Sequence, residues 1–215
     1  MIKAVIFDMD GTTVDTLNSI AYFVNQAMKK YGLDELSVQK VCEFIGNGPK
    51  KLIDSSIEYV NGDLKKSDEI LTYYLNEYNA NYLHLAKPYD GIIKMLEDLK
   101  AKGILSAIIS NKQDEAVRKI SDAFFGDLVI KAAGTKPDVP RKPAPDSLIN
   151  LMKELGVEKD EVIFVGDTNV DIFTAKNAGV KSIGVLWGFR DEQELRDAKA
   201  DYIVSNPEEI LELIK

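Results

Sequence analysis

Short, unbroken apolar runs alternate with helical patterns through most of this chain, and that alternation leaves few folds open. The runs are "AVIF" (4–7), "ILSAII" (104–109), "LVI" (128–130), "VIFV" (162–165), "SIGVL" (182–186) and "YIV" (202–204). Helical stretches lie between them, among them "GIIKMLEDLKAKG" (91–103), "PDSLINLMKELGV" (145–157) and "DIFTAKNAGV" (171–180). A strand that is apolar on both sides needs cover on both sides, and intervening helices supply it. The pattern therefore predicts an α/β fold with a doubly wound, Rossmann-like parallel sheet, whose active site lies at the carboxyl ends of the strands.

From about 17 to 83 the alternation stops. The stretches "LNSIAYFVNQAMKKYG", "SVQKVCEFI", "PKKLIDSSIEYV" and "SDEILTYYLNEYNANYL" all read as helix. The expected division is a core of residues 1–15 and 84–215, with a small all-helical cap, 16–83, inserted after the first strand. An insert there is suited to act as a lid.

Two apolar runs end in acid. "VIFDMDGTTVDT" (5–16) carries Asp8 and Asp10, which project to one side of an extended chain, while Gly11 permits a tight turn. "VIFVGDTNVD" (162–171) carries Asp167 and Asp171. Asp171 also suits the first turn of the helix that follows, where the dipole favours an acid. Carboxylates gathered at buried strand ends need a compensating charge. With one cysteine, Cys42, and one histidine, His84, the chain cannot build the usual Cys/His zinc site. An oxygen-bound cation, Mg²⁺ in particular, fits instead.

Ser110 and Asn111 follow the second core run and read either as a turn or N-cap pair or as an oxyanion site. In "VPRKPAP" (139–145) the prolines stiffen a loop that carries Arg141 and Lys142. Lys142 reads either as a surface lysine or as a cation aimed by a rigid loop. Cys42 reads as a small buried hydrophobe, and the spacing of Tyr74, Tyr78 and Tyr82 as one packed helix face. His84 reads as a surface or packing residue, and Trp187 as packed near the last strand.

A net charge of −8 argues against a general nucleic-acid or anionic-membrane binder. The lone cysteine excludes an internal disulfide, no apolar run has membrane-spanning length, and Met1-Ile2-Lys3 opens no signal-peptide pattern. A cytoplasmic protein is expected, without nucleic-acid or membrane partners, as a monomer or homodimer.

These residues resemble the haloacid dehalogenase-like hydrolase superfamily. "DMDGTTVD" is similar to its first motif, Ser110 to its second, Lys142 to its third and "GDTNVD" to its fourth, in the family's order. The resemblance implies a nucleophilic Asp8, a general acid/base Asp10, and phosphoryl binding by Lys142 and Ser110 together with Thr12 and Asn111. It implies Mg²⁺ held by Asp8, the main-chain carbonyl of Asp10 and Asp167, with Asp171 bound directly, through water or one layer out. An acid at the Asp10 position marks phosphoryl transfer rather than dehalogenation. Phosphonatases need a Schiff-base lysine from the cap, and Lys29, Lys30, Lys50 and Lys51 offer no recognisable context for one. In the cap, "IGNGPKKLI" (45–53) resembles the substrate loop of phosphoglycolate phosphatases, with Gly46, Asn47, Gly48 and Lys50 facing substrate. A helix–helix turn with Pro49 opening the next helix is the second reading of that loop. The tail "WGFR" is similar to the same branch. The resemblance thus implies a phosphatase for a small phosphorylated metabolite, phosphoglycolate first. A β-phosphoglucomutase-like mutase, or a pyrophosphatase or nucleotidase, stands as the alternative, while Asp8, Asp10, Lys142 and Asp167 together argue against a phosphate or partner binder without turnover, which needs no covalent nucleophile.

Overall fold

A computed structural model describes residues 1–214. The chain divides into two compact units, Met1–Asp15 with Pro88–Lys215, and Thr16–Lys87. In chain order, β1 (Ala4–Phe7) and β2 (Val14–Asp15) precede the helices α1 (Leu17–Lys30), α2 (Val38–Phe44), α3 (Pro49–Tyr59) and α4 (Ser67–Ala80). There follow β3 (Lys87–Pro88), α5 (Ile92–Ala101), β4 (Leu105–Gln113), α6 (Asp114–Phe125), β5 (Lys131–Thr135) and α7 (Asp146–Leu155). The chain finishes with β6 (Val162–Gly166), α8 (Asn169–Ala178), β7 (Lys181–Val185), α9 (Glu192–Asp197), β8 (Tyr202–Val204) and α10 (Glu208–Leu213).

Among the described residues one sheet has six strands in the order β5-β4-β1-β6-β7-β8, every pair parallel. The chain steps outward from β1 through β4 to β5, then returns to the other side of β1 for β6, β7 and β8. That reversal makes the carboxyl ends of β4, β1 and β6 the switch point where an open sheet offers a crevice. Residues 4 to 7 of β1 are wholly buried. Ala4 and Ile6 pack with Leu148, Leu151 and Met152 of α7 and with Ala175 of α8. Val5 and Phe7, on the opposite face by the two-residue period, are equally buried, so the strand is covered on both sides. The expected doubly wound α/β sheet with an all-helical segment after the first strand is the fold observed.

Two strands depart from expectation. "LVI" is not a strand: the chain makes a 3-10 turn at Gly126–Leu128, Val129 is buried outside any ladder, and β5 starts at Lys131. β5 is an edge strand, so half-buried Ala132 and Ala133 suffice and no apolar run marks it. β4, in contrast, runs past its apolar stretch to Gln113, held against β5 across a register shift between Ile109 and Gln113.

In the helical unit, α1 buries Ile20, Phe23, Val24, Ala27 and Met28 at helical spacing. Tyr74 and Tyr78 of α4 are buried, their rings 5.8 Å apart, with Phe23 5.5 Å from Tyr78. Tyr82 lies beyond the end of α4 and is only half-buried, which breaks the expected three-tyrosine face. Cys42 is half-buried rather than buried. His84 packs its ring on Tyr22, 4.6 Å away, and on Phe23. No described helix is long and apolar enough to cross a membrane.

Candidate active site

The sheet register sets the site. Phe7 of β1 is level with Ile108 of β4 and Val165 of β6. Asp8 is the next residue after Phe7, and Ser110 and Asp167 each lie two beyond its partners. Asp8 N–H still donates to Val165 O (2.8 Å), which keeps the strand end straight up to the first acid. After Asp10 the backbone turns back: the N–H groups of Thr13 and Val14 donate to Met9 O, and Gly11 takes φ 86°, a conformation that favours glycine.

Asp8, Asp167 and Asp171 are buried and each offers a carboxylate oxygen within 4.8 Å of the others. Lys142 binds two of them, its ammonium 2.8 Å from Asp8 Oδ1 and 2.6 Å from Asp171 Oδ1. Asp8 Oδ1 is buried against that ammonium. The other Asp171 oxygen accepts from Thr168 N–H (3.1 Å) and Thr168 Oγ1 (2.9 Å), the capping box that starts α8 at Asn169, two residues before the expected 171. Asp171 is thus a helix-capping acid and a member of the cluster at once. Asp167 is held from both sides, by Thr12 Oγ1 (3.0 Å) and by the N–H of Phe189 (2.8 Å).

Burial pushes the Asp8 carboxyl up to about 7 despite the pull of Lys142, and Asp171 and Asp10 add to the rise. Burial, with Asp171 and Asp8 alongside, holds Asp167 well above the usual carboxylate range. Burial opposes the Lys142 ammonium, but Asp171 and Asp8 outweigh it and raise its pKa above the ordinary lysine value. Two carboxyls raised by burial and by one another, within an all-oxygen donor set, fit a hard divalent cation.

An expected consequence is a pH-dependent response to that cation. A carboxyl raised in the folded state favours folding below its unfolded value near 3.8 and loses that contribution as pH rises toward 7. Without divalent ions, the melting temperature should therefore carry a falling contribution from Asp8 across that window, with Asp167 acting in the same direction. The upward shift caused by Mg²⁺ should be larger at pH 8 than at pH 5. Calorimetry in EDTA and in Mg²⁺ checks this, and a shift that shrinks as pH rises would contradict it.

The loop carrying Lys142 is clamped from β4. Asn111 Oδ1 accepts from Lys142 N–H (2.9 Å), and Asn111 Nδ2 donates to Lys142 O (3.0 Å). Asn111 lies inside β4, not in a turn, and Gln113 rather than Ser110 or Asn111 precedes α6, so the N-cap reading of that pair is not what forms. Ser110 is buried and its Oγ accepts from Lys112 N–H (3.3 Å).

Sequence reasoning missed three features here. Lys112 places its ammonium 2.8 and 2.7 Å from the two carboxylate oxygens of Asp10. Had β4 been read as continuing past Ile109, the two-residue period would have put Lys112 on the side of Ser110. The tail also closes on the site, with the Trp187 indole N–H donating to Thr12 O (2.9 Å) and the Phe189 N–H to Asp167. Gly166 and Gly188 are required by proximity. A Cβ on Gly166 would lie 2.2 Å from Asp171 Cβ, and one on Gly188 2.3 Å from Asp167 Cβ. Gly166→Ala should therefore destabilise the protein by about 1–3 kcal/mol through overpacking and cut activity at least ~10-fold by shifting a site residue. Urea unfolding and initial rates test both.

The cap-loop residues belong to the helical unit. Gly46 (φ 122°) and Gly48 (φ 84°) take conformations that favour glycine, and Gly48 is the N-cap of α3 with Pro49 behind it. Lys50 Nζ lies 2.7 Å from Asp54 Oδ1, 2.7 Å from Ser67 Oγ and 3.3 Å from Asp68 Oδ1.

Residues 5–185 match the family described as haloacid dehalogenase-like hydrolase. A phosphoglycolate phosphatase of Aquifex aeolicus is 31% identical over 99% of this chain and 96% of its own length. One of Mannheimia succiniciproducens is 29% identical over 99% and 98%. The crystal structure of a phosphoglycolate phosphatase candidate from Lactobacillus delbrueckii subsp. bulgaricus superposes with a TM-score of 0.94 at 30% identity, covering 99% of this chain and 98% of that one.

Proposed function

This chain belongs to the haloacid dehalogenase-like hydrolase family, and from that premise we propose that it is a Mg²⁺-dependent phosphoric monoester hydrolase. Its substrate is a small phosphorylated metabolite, phosphoglycolate foremost. The observation that carries the reading is Lys142, buried between Asp8 and Asp171 beside Asp167 at the sheet's switch point. A cation so placed balances the acids and can receive phosphoryl oxygens.

In this reading an Asp8 oxygen attacks phosphorus, the Asp8 O–P bond forms, and the bond from phosphorus to the substrate's ester oxygen breaks. Asp10 gives its proton to that oxygen, which leaves as an alcohol. Asp10 then takes a proton from water, the water oxygen attacks phosphorus, and the Asp8 O–P bond breaks to return the carboxylate and release phosphate. Lys142 and Ser110 bind the non-bridging oxygens. Thr12 acts by holding Asp167, and Asn111 by holding the backbone of Lys142, as their contacts suggest. Asp8, Asp167 and the Asp10 carbonyl would hold Mg²⁺, which when bound supplies charge that lets the acids ionise and offsets the phosphoryl charge. Asp171, both of whose oxygens are engaged by Lys142 and Thr168, acts by orienting Lys142.

The helical unit serves as the cap, and the choice of substrate by Gly46, Asn47, Gly48 and Lys50 is proposed on the sequence resemblance alone. Phosphate release from phosphoglycolate, sugar phosphates, nucleotides and pyrophosphate, with Mg²⁺ and with EDTA, tests the reading. Mg²⁺-dependent release with phosphoglycolate preferred supports it. Isomerisation of a sugar phosphate primed by a bisphosphate, with little free phosphate, would replace it with a mutase.

A further inference from the structure

Two lysines stand at the carboxyl end of the core sheet, and their settings differ. Lys142 has two carboxylate partners and a side chain 3% exposed. Lys112 places its ammonium on Asp10, and these two side chains are 10% and 14% exposed, partly open to solvent. Asp10 pairs with Lys112, Asp8 and Asp171 pair with Lys142, and Asp167 lies beside Asp8 and Asp171, so one divalent cation brings these four acids and two ammoniums to neutrality.

We propose that Lys112 reads a second anionic group on the substrate, a carboxylate one carbon from the ester oxygen, and that Asp10 is the counter-ion it exchanges. This rests on the phosphatase reading given above. The Asp10 carboxylate already shows how such a group sits, with both oxygens within hydrogen-bond distance of one ammonium. A substrate carboxylate is the same ligand and competes for the same donor. Once it takes Lys112, the Asp10 carboxylate loses its counter-ion, takes up a proton from solvent water and turns toward the ester oxygen as the acid, so recognition of the second anion and deployment of Asp10 become one event.

The geometry also limits the substrate's length. The Cα atoms of Asp8 and Asp10 are two residues apart, at most about 7 Å even in a fully extended chain, and their side chains leave the backbone on the same side. A phosphoryl group at Asp8 and a carboxylate displacing Asp10 therefore suit a short spacer, such as that in the phosphate ester of a small 2-hydroxy acid. Lys50, bound within its own unit by Asp54, Ser67 and Asp68, is not needed for this part.

The experiment compares kcat/KM, in Mg²⁺, for phosphoglycolate and for 2-hydroxyethyl phosphate, which has a neutral carbinol in place of the carboxylate. Wild type should prefer phosphoglycolate. In Lys112→Met the ratio should fall about tenfold or more, as for truncation of a partly buried charge pair, with the rise in KM confined to phosphoglycolate. Lys112→Arg should keep most of the preference. Should Lys112→Met not fold, competitive inhibition of wild type by glycolate should be at least ~10-fold tighter than by ethylene glycol, and equal inhibition would overturn the proposal. A ratio unmoved in Lys112→Met, or equal losses on both esters, also overturns it. Wild-type hydrolysis of both esters without preference overturns it and leaves the phosphatase standing, whereas hydrolysis of neither removes both.

Discussion

Asp8→Asn should abolish turnover, by about 10⁴-fold or more, the scale of losing a nucleophile that acts with its partners as a unit, while leaving the protein folded. The second half of that expectation follows from the site's electrostatics. Burial already brings the Asp8 carboxyl up to about 7, so much of the population at neutral pH holds an uncharged side chain there. A carboxamide of the same shape keeps the steric fit, loses only the charge, and relieves the repulsion that raises Asp167. In EDTA the variant should melt no lower than wild type, and it should gain less from Mg²⁺. Rates on a generic phosphate ester and melts in both buffers check this. A variant that retains more than a tenth of wild-type activity would remove Asp8 from the chemistry.

Lys142→Met is the opposite case, in which both activity and stability should fall. Methionine keeps most of the volume, so the change isolates the charge. Without the ammonium, Asp8 and Asp171 lose their shared cation, and Asp171 Oδ1 loses a 2.6 Å partner in a site only 1% exposed. Removing one side of a buried ion pair typically costs about 3–5 kcal/mol, expected here at pH 8 in EDTA. The cost should shrink toward pH 5, where Asp8 is protonated in the folded protein. Turnover should drop ~10²–10³-fold for loss of a preorganised cation facing the phosphoryl group. Urea unfolding at the two pH values separates this from a packing defect, which would cost the same at both.

How far the sequence could be read depended on whether side chains or backbone carry each feature. β1 and β6 are legible because both are covered on two faces, so each is an unbroken apolar run, and acids directly after such a run announce themselves. Asp8, Asp10, Asp167 and Asp171 were accordingly named from residue order alone. Residues 110–113 of β4 are polar and stay extended through backbone pairing with β5 across a shifted register, which leaves no apolar signal. Lys112 carries no sequence signal for that reason, and of the two readings of Asn111 the turn or cap reading fails for the same cause. β5 was misplaced by the same cause reversed: Val129 is buried outside the ladder, while the edge strand itself is small and half-exposed. Gly166 and Gly188 are fixed by contacts with side chains on neighbouring segments, and such close approaches have no local pattern. Asp171 shows that two readings of one residue need not compete, since capping α8 and pairing with Lys142 use different oxygens.

The measurement that bears most directly on the account is a quenched reaction with ³²P-labelled phosphoglycolate in Mg²⁺, followed by peptide mapping. The account predicts acid-stable, hydroxylamine-labile label on the peptide that contains Asp8, and none on Asp8→Asn. Turnover with label on any other residue, or with no covalent label at times shorter than one turnover, would contradict it.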